Sequence, residues 1–144
     1  MKKIFTLVLV LALNKGFSQL SIGMHAGGSD KAPVVGLHTQ LQFLSHFTAG
    51  VNLTGNLDNS NPVYLQTRLG YTIGNNDGFT VQPYAGYSYW QQNMEQKQYG
   101  GNFTKGVQLR YQINDIAFIY TDFNMPTNKG FILSVGIGGL LSRK

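Results

Sequence analysis

The sequence predicts an all-β chain: one eight-stranded antiparallel up-and-down transmembrane β-barrel. Three observations carry that expectation. Beyond residue 19, apolar and polar residues alternate with period two, which is the side-chain period of a strand. Most alternating segments reach the length that a tilted strand needs to cross a bilayer, about 9–11 residues, and exceed the roughly 5–6 of globular strands. Charged residues make up 12% of the chain, against about 25% in soluble domains.

The N-terminus is read separately. Lys2 and Lys3 precede an apolar run, Ile4 to Leu13, of ten residues. That run is too short to span a bilayer as a helix. A polar, small-residue exit follows, Asn14 to Gln19. The pattern predicts an export signal peptide over 1–18, cleaved near Ser18, and a barrel domain over 19–144. A buried N-terminal helix is the alternative, but two lysines followed by a bare apolar run make poor amphipathic patterning. No later stretch approaches the length of a transmembrane helix.

A mature chain of this size is one domain. It has no cysteine, so barrel closure or a lipid solvent must do what disulfides do in many small secreted proteins. The net charge of +5 includes Lys2, Lys3 and Lys15; without them it is 5 − 3 = +2. With no basic cluster, that charge does not point to nucleic acid. No cofactor-binding pattern is present.

Eight strands are expected, over 20–28, 34–44, 47–57, 63–73, 79–91, 102–113, 116–123 and 131–141. Turn-forming clusters separate them: 27–31, 56–62, 74–78 and 126–130 are rich in Gly, Asn, Asp, Ser and Pro, residues that favour turns. Connections after the second, fourth and sixth strands are short (44–46, 74–78, 114–115). Those after the odd strands are mostly longer, and Gln91 to Gly101 is the longest. Short turns at one rim and long loops at the other are the habit of an even-stranded barrel with both termini in the periplasm.

The two faces separate. One carries Ile22, Met24, Leu37, Leu53, Leu65, Leu69, Val107, Leu133 and Ile137, and its mid-strand residues Val51, Leu109 and Val135 are expected to face lipid. The other carries Ser21, His25, His38, Gln40, Thr48, Asn52, Gln66, Arg68, Gln82, Gln108, Arg110 and Ser134, interrupted by glycines at 23, 36, 50, 70, 86, 106, 136 and 138. A soluble barrel would put the apolar face inside and a strongly charged face in water. Here the polar face offers amides, hydroxyls and glycine, which suits a confined lumen. His38, Gln66, Arg68, Gln108 and Arg110 are the expected luminal polar network, and Tyr84 and Trp90 add inward bulk. Eight strands leave an interior that side chains fill, so no open pore is expected.

Aromatic residues gather at strand ends: Phe43, Phe47, Tyr71, Phe79 and Tyr111 at one rim, Tyr87, Tyr89, Phe103 and Phe131 at the other. Two such girdles anchor a membrane barrel at its interfaces. Pro83 cannot donate to a ladder, so a β-bulge is expected there. The seventh strand has no unique phase. Either Ile116, Phe118 and Tyr120 or Ala117, Ile119 and Phe123 would face lipid, which leaves Asp122 luminal or at the rim.

With signal, eight alternating strands and alternating loop lengths in place, the chain resembles the small OmpA/OmpX-type outer-membrane β-barrels. Met1-Lys2-Lys3-Ile4 and the Phe17-Ser18-Gln19 exit are similar to export signals common in Bacteroidetes. Ser134, Gly136 and Leu141 match the family's C-terminal assembly signal, whereas Gly139 stands where an aromatic is usual and the chain ends in Ser142-Arg143-Lys144. The resemblance implies a non-enzymatic protein of the cell outer membrane, acting through extracellular loops or in envelope integrity. Its implied partners are outer-membrane lipid, the barrel assembly machinery and an extracellular protein or surface. Gln92, Glu95, Lys97 and Tyr99 would then belong to the extracellular loop.

Two rivals are kept. A soluble periplasmic barrel of lipocalin type would hold an apolar ligand. A lipid-modifying barrel enzyme would use His25 and His38, on one face of neighbouring strands, with Ser29 and Asp30 in the first loop. No spacing here is diagnostic of catalysis, and two histidines alone do not make a metal site.

Overall fold

The computed structural model describes residues 17–29, 32–57, 63–74, 78–92, 98–126 and 130–143. The expected signal peptide therefore lies almost wholly outside the described residues, as do Asp30, Glu95 and Lys97.

The strands are β1 (Phe17–Ser29), β2 (Pro33–Phe43), β3 (Phe47–Asn56), β4 (Val63–Tyr71), β5 (Ile73–Gly74), β6 (Phe79–Gln92), β7 (Gln98–Gln112), β8 (Ala117–Pro126) and β9 (Ile132–Arg143). Every neighbouring pair is antiparallel, β1 pairs with β9, and β4 pairs with β6, so the sheet closes on itself. β5 is a two-residue continuation of β4, which makes eight staves.

Closure is staggered. From Gln19 the partners run Gln42, Thr48, Gly70, Tyr84, Gly106, Asn124 and Ile132, and return to β1 at Ser29. The circuit ends 29 − 19 = 10 residues further along β1. This shear tilts the strands, and any row of paired residues climbs from the short-turn rim towards the long-loop rim.

Alternation sets the two surfaces. Ile22, Met24, Leu37, Leu53, Leu69 and Ile137 are exposed, while Ser21, Thr48, Asn52, Gln66, Ser88 and Thr104 are buried. Large inward rings fit because glycine stands opposite them. Gly23 pairs with His38 and Gly36 with His25. A Cβ on Gly23 would lie 2.6 Å from His38 Cε1, and one on Gly36 would lie 2.5 Å from His25 Nε2. Gly136 leaves the same space for Tyr120, its partner on β8.

Two expectations are corrected and one open alternative is closed. Pro83 makes no bulge: the register runs from Gly70 opposite Tyr84 to Ile73 opposite Val81 with no shift. Its missing N–H is absorbed as a gap in the ladder between β4 and β5, and Thr72 N donates instead to His46 O at 2.7 Å. The register irregularities fall in β1, at Phe17/Gln19 and Leu20/Ser21. The segment 91–101 is not all loop: β6 and β7 stay paired out to Gln92 opposite Gln98. Gln92 and Tyr99 are thus strand residues. Gly100 and Gly101, which fall within the expected connection, are strand positions over which Trp90 and Tyr87 pack. The phase of β8 is settled: Phe118, Tyr120 and Asp122 are buried, and Ile119 and Phe123 are exposed.

Candidate functional site: the polar interior

Two cationic centres organise the interior. Arg68 on β4 reaches across the lumen to Asp122 on β8, Nη2 to Oδ2 at 2.7 Å. Asp122 Oδ1 accepts from the Tyr84 hydroxyl at 2.8 Å. The Arg68 guanidinium also donates to Gln66 Oε1 at 2.9 Å and lies 4.3 Å from the Tyr84 ring centre. Gln66 Oε1 accepts a second bond from Asn52 Nδ2 at 3.2 Å. A buried charge must be neutralised and hydrogen-bonded, and this cluster supplies both.

Arg110 is served differently. It stacks on Phe118, 3.7 Å from the ring centre. It donates to Gln112 Oε1 at 3.0 Å and to Gln19 Oε1 at 3.4 Å. Among the described residues its charge meets a π face and amide oxygens rather than a carboxylate. Cation–π contact of this kind is strongest away from water.

His25 and His38 are brought together, each bonded to the Tyr120 hydroxyl, at 3.3 Å and 2.9 Å. One hydroxyl has one proton, so it donates to one imidazole and accepts from the other. His25 Nε2 also bonds Thr54 Oγ1 at 3.2 Å. Ser29 does not join them: its hydroxyl bonds Ala32 O at 3.0 Å in the first connection. The histidines are therefore tied to the buried Tyr120 phenol and, through His25, to the Thr54 hydroxyl, and not to Ser29. Among the described residues, no group of three His, Cys, Asp or Glu could hold a metal.

Glutamines complete the packing. Gln40 Nε2 donates to Gln82 Oε1 at 3.1 Å, and Gln82 donates on to Thr48. Gln108 is buried opposite Asp122. The enclosed space between His38, Arg68, Gln82, Tyr84 and Gln108 is about 10 Å³, barely one water. Asn52 Oδ1, Gln66 Nε2, Arg68 Nε and Ser88 Oγ have no hydrogen-bond partner among the described residues; Asn52, Gln66 and Ser88 share one rung of the ladder.

Val51, Leu109 and Val135 lie on the outer surface, at 41%, 38% and 60% exposure. The rings at the short-turn rim touch: Phe47 stands 5.2 Å from Tyr71 and 6.1 Å from Phe43. At the opposite rim Tyr87 lies 4.8 Å from Tyr89 and Phe123 lies 5.9 Å from Phe131. Sequence reading passes over one residue. Lys105 is exposed on the outer surface of β7, and the alternation that puts Phe103, Val107 and Leu109 outside puts it there too.

No protein-family model and no curated protein matches the chain. Solved structures do. The N-terminal β-barrel domain of Pseudomonas aeruginosa OprF superposes with a TM-score of 0.75 at 13% identity, over 88% of this chain and 100% of that one. A de novo designed transmembrane β-barrel gives 0.71 at 16% identity, over 86% and 96%. The Yersinia pestis outer membrane protein Ail, in a phospholipid bilayer nanodisc, gives 0.59 at 12% identity, over 88% and 100%. The designed barrel shows that this fold carries no particular activity with it. In fold, the chain is a small eight-stranded β-barrel of the outer-membrane type.

Proposed function

We propose that the protein is an integral outer-membrane β-barrel, exported by residues 1–18, non-enzymatic, and acting through its long-loop rim or in envelope integrity. The observation that carries this reading is the reversed polarity of the barrel. Leu37, Leu53, Leu65, Leu69, Val135 and Ile137 point out, while Asn52, Gln66, Gln82 and Asp122 point in. A water-soluble barrel with this surface would expose a continuous apolar belt, an aggregation hazard; in hydrocarbon the same belt is the solvated state. Among the described residues, the space enclosed by His38, Arg68, Gln82, Tyr84 and Gln108 is polar and about 10 Å³, too small for a lipocalin-type ligand.

Loop function finds support in the fold's neighbours, among them Ail, described as the attachment invasion locus protein of Yersinia pestis. An extracellular protein or surface partner, outer-membrane lipid and the barrel assembly machinery belong to the same proposal. The test is fractionation of cells expressing the full chain. Recovery in the outer membrane, extractable only with detergent, is expected. Recovery in the soluble periplasmic fraction would overturn the reading.

A further inference from the structure

We propose that the hydrogen-bonded bridge His25–Tyr120–His38 is an acid-sensitive latch across the seam where the barrel closes. It holds with both imidazoles neutral or with one protonated, and a second proton breaks it. The latch depends on the closed barrel and goes beyond the membrane reading above.

The seam is the ladder between β1 and β9. On its inner side Gly23 pairs with Gly138, His25 with Gly136 and Gly27 with Ser134. Glycine leaves those rungs little side-chain contact of their own, and the flanking strands supply it. Tyr120 on β8 lies over Gly136, and His38 on β2 lies over Gly23. The Tyr120 hydroxyl meets His38 Nδ1 at 2.9 Å and His25 Nδ1 at 3.3 Å. His38 also stands edge-on to the Tyr120 ring, with 4.7 Å between ring centres. β8 and β2 are thereby tied across β9 and β1. The same seam carries a register shift, between Leu20 and Ser21.

Proton counting sets the response. The Tyr120 hydroxyl has one hydrogen, so with neutral imidazoles it donates to one Nδ1 and accepts from the Nδ1–H of the other ring. The ring that donates through Nδ1 takes a proton at Nε2 without disturbing either bond. If that ring is His25, its Nε2–H donates to Thr54 Oγ1, 3.2 Å away. A proton on the other ring occupies the lone pair that was accepting. Both Nδ1–H groups then point at one oxygen, and the phenol hydrogen is left without an acceptor, which is costly in a buried site.

Charge acts in the same direction. The charged groups facing the bridge are Arg68 on β4, Arg110 on β7 and Asp122 on β8, and Tyr84 on β6 donates to Asp122. Around the neutral bridge these charges sum to 2 − 1 = +1; around the doubly protonated bridge they sum to 4 − 1 = +3. Like charges repel strongly where water is scarce.

The test is hydrogen–deuterium exchange of the full chain in nanodiscs at pH 7 and pH 5, corrected for the intrinsic pH dependence of amide exchange. The lower value is below the ordinary imidazole range and above the ordinary carboxylate range. Amides of β1 and β9 should lose protection by about tenfold per pH unit below about pH 6.5, the linkage of one proton. Amides of β4 and β6, on the opposite wall, should keep theirs. His25→Gln and His38→Gln each put a non-titrating amide, able to donate or accept, in place of one imidazole, and each should abolish the acid response. No loss of protection in the unaltered chain, equal loss on both walls, or an undiminished response in either variant would overturn the latch. If neither variant folds, the comparison of the two walls in the unaltered chain decides.

Discussion

Arg68 and Asp122 sit on strands that do not touch, β4 and β8, and bridge the lumen at 2.7 Å. Asp122→Asn should leave a buried guanidinium without its counter-charge and cost roughly 3–5 kcal/mol. Arg68→Met with Asp122→Leu removes both charges and should recover most of that loss. Urea unfolding in detergent micelles measures all three proteins. A neutral single variant would mean that the pair contributes nothing.

The outer positions give a second expectation. An arginine at Val51, Leu109 or Val135 should cost about 2–4 kcal/mol in a bilayer near its midplane. The same change at Lys105, already cationic, should be close to neutral. Folding equilibria in vesicles decide this, and stability unchanged at all three apolar positions would invalidate the lipid-facing assignment.

Conductance is a third. With Arg68, Tyr84, Arg110 and Phe118 packed across the interior, planar-bilayer recordings should show no steady, large current. Such a current would mean that the interior opens.

Topology is a fourth. An epitope tag placed after Gln96 should be reached by antibody on intact cells, and one placed after Asn76 should not. The reverse pattern would invert the barrel in the membrane.

Much of this fold was legible because a strand offers only two faces, and long period-two segments assign them. The reading failed where that signal fades. In β8 both faces carry large apolar residues, Phe118 and Tyr120 inside and Ile119 and Phe123 outside, so alternation had nothing to distinguish. The partners Gly136 and Gly138 across the ladder settle it, but pairing is a property of the closed sheet. The contact of Arg68 with Asp122 depends on the ten-residue shear in the same way. Lys105 is readable from its place between Phe103 and Val107, although most charges of the chain fall in turns. At Pro83 the sequence shows the missing donor, but a gap in the ladder accommodates it without an inserted residue.

The glycines opposite the inward rings also act as an error check on assembly. A one-residue slip between strands turns every side chain to the wrong face, so the smallest slip that keeps faces intact is two. Between β1 and β2 the native pairs are Gly23 with His38 and His25 with Gly36. Sliding by two in one direction would set His25 against His38, ring upon ring where one ring fits. Sliding the other way would set Gly23 against Gly36 and open a hole. Either error is penalised by volume alone, inside the barrel, without help from the connection that joins these two strands.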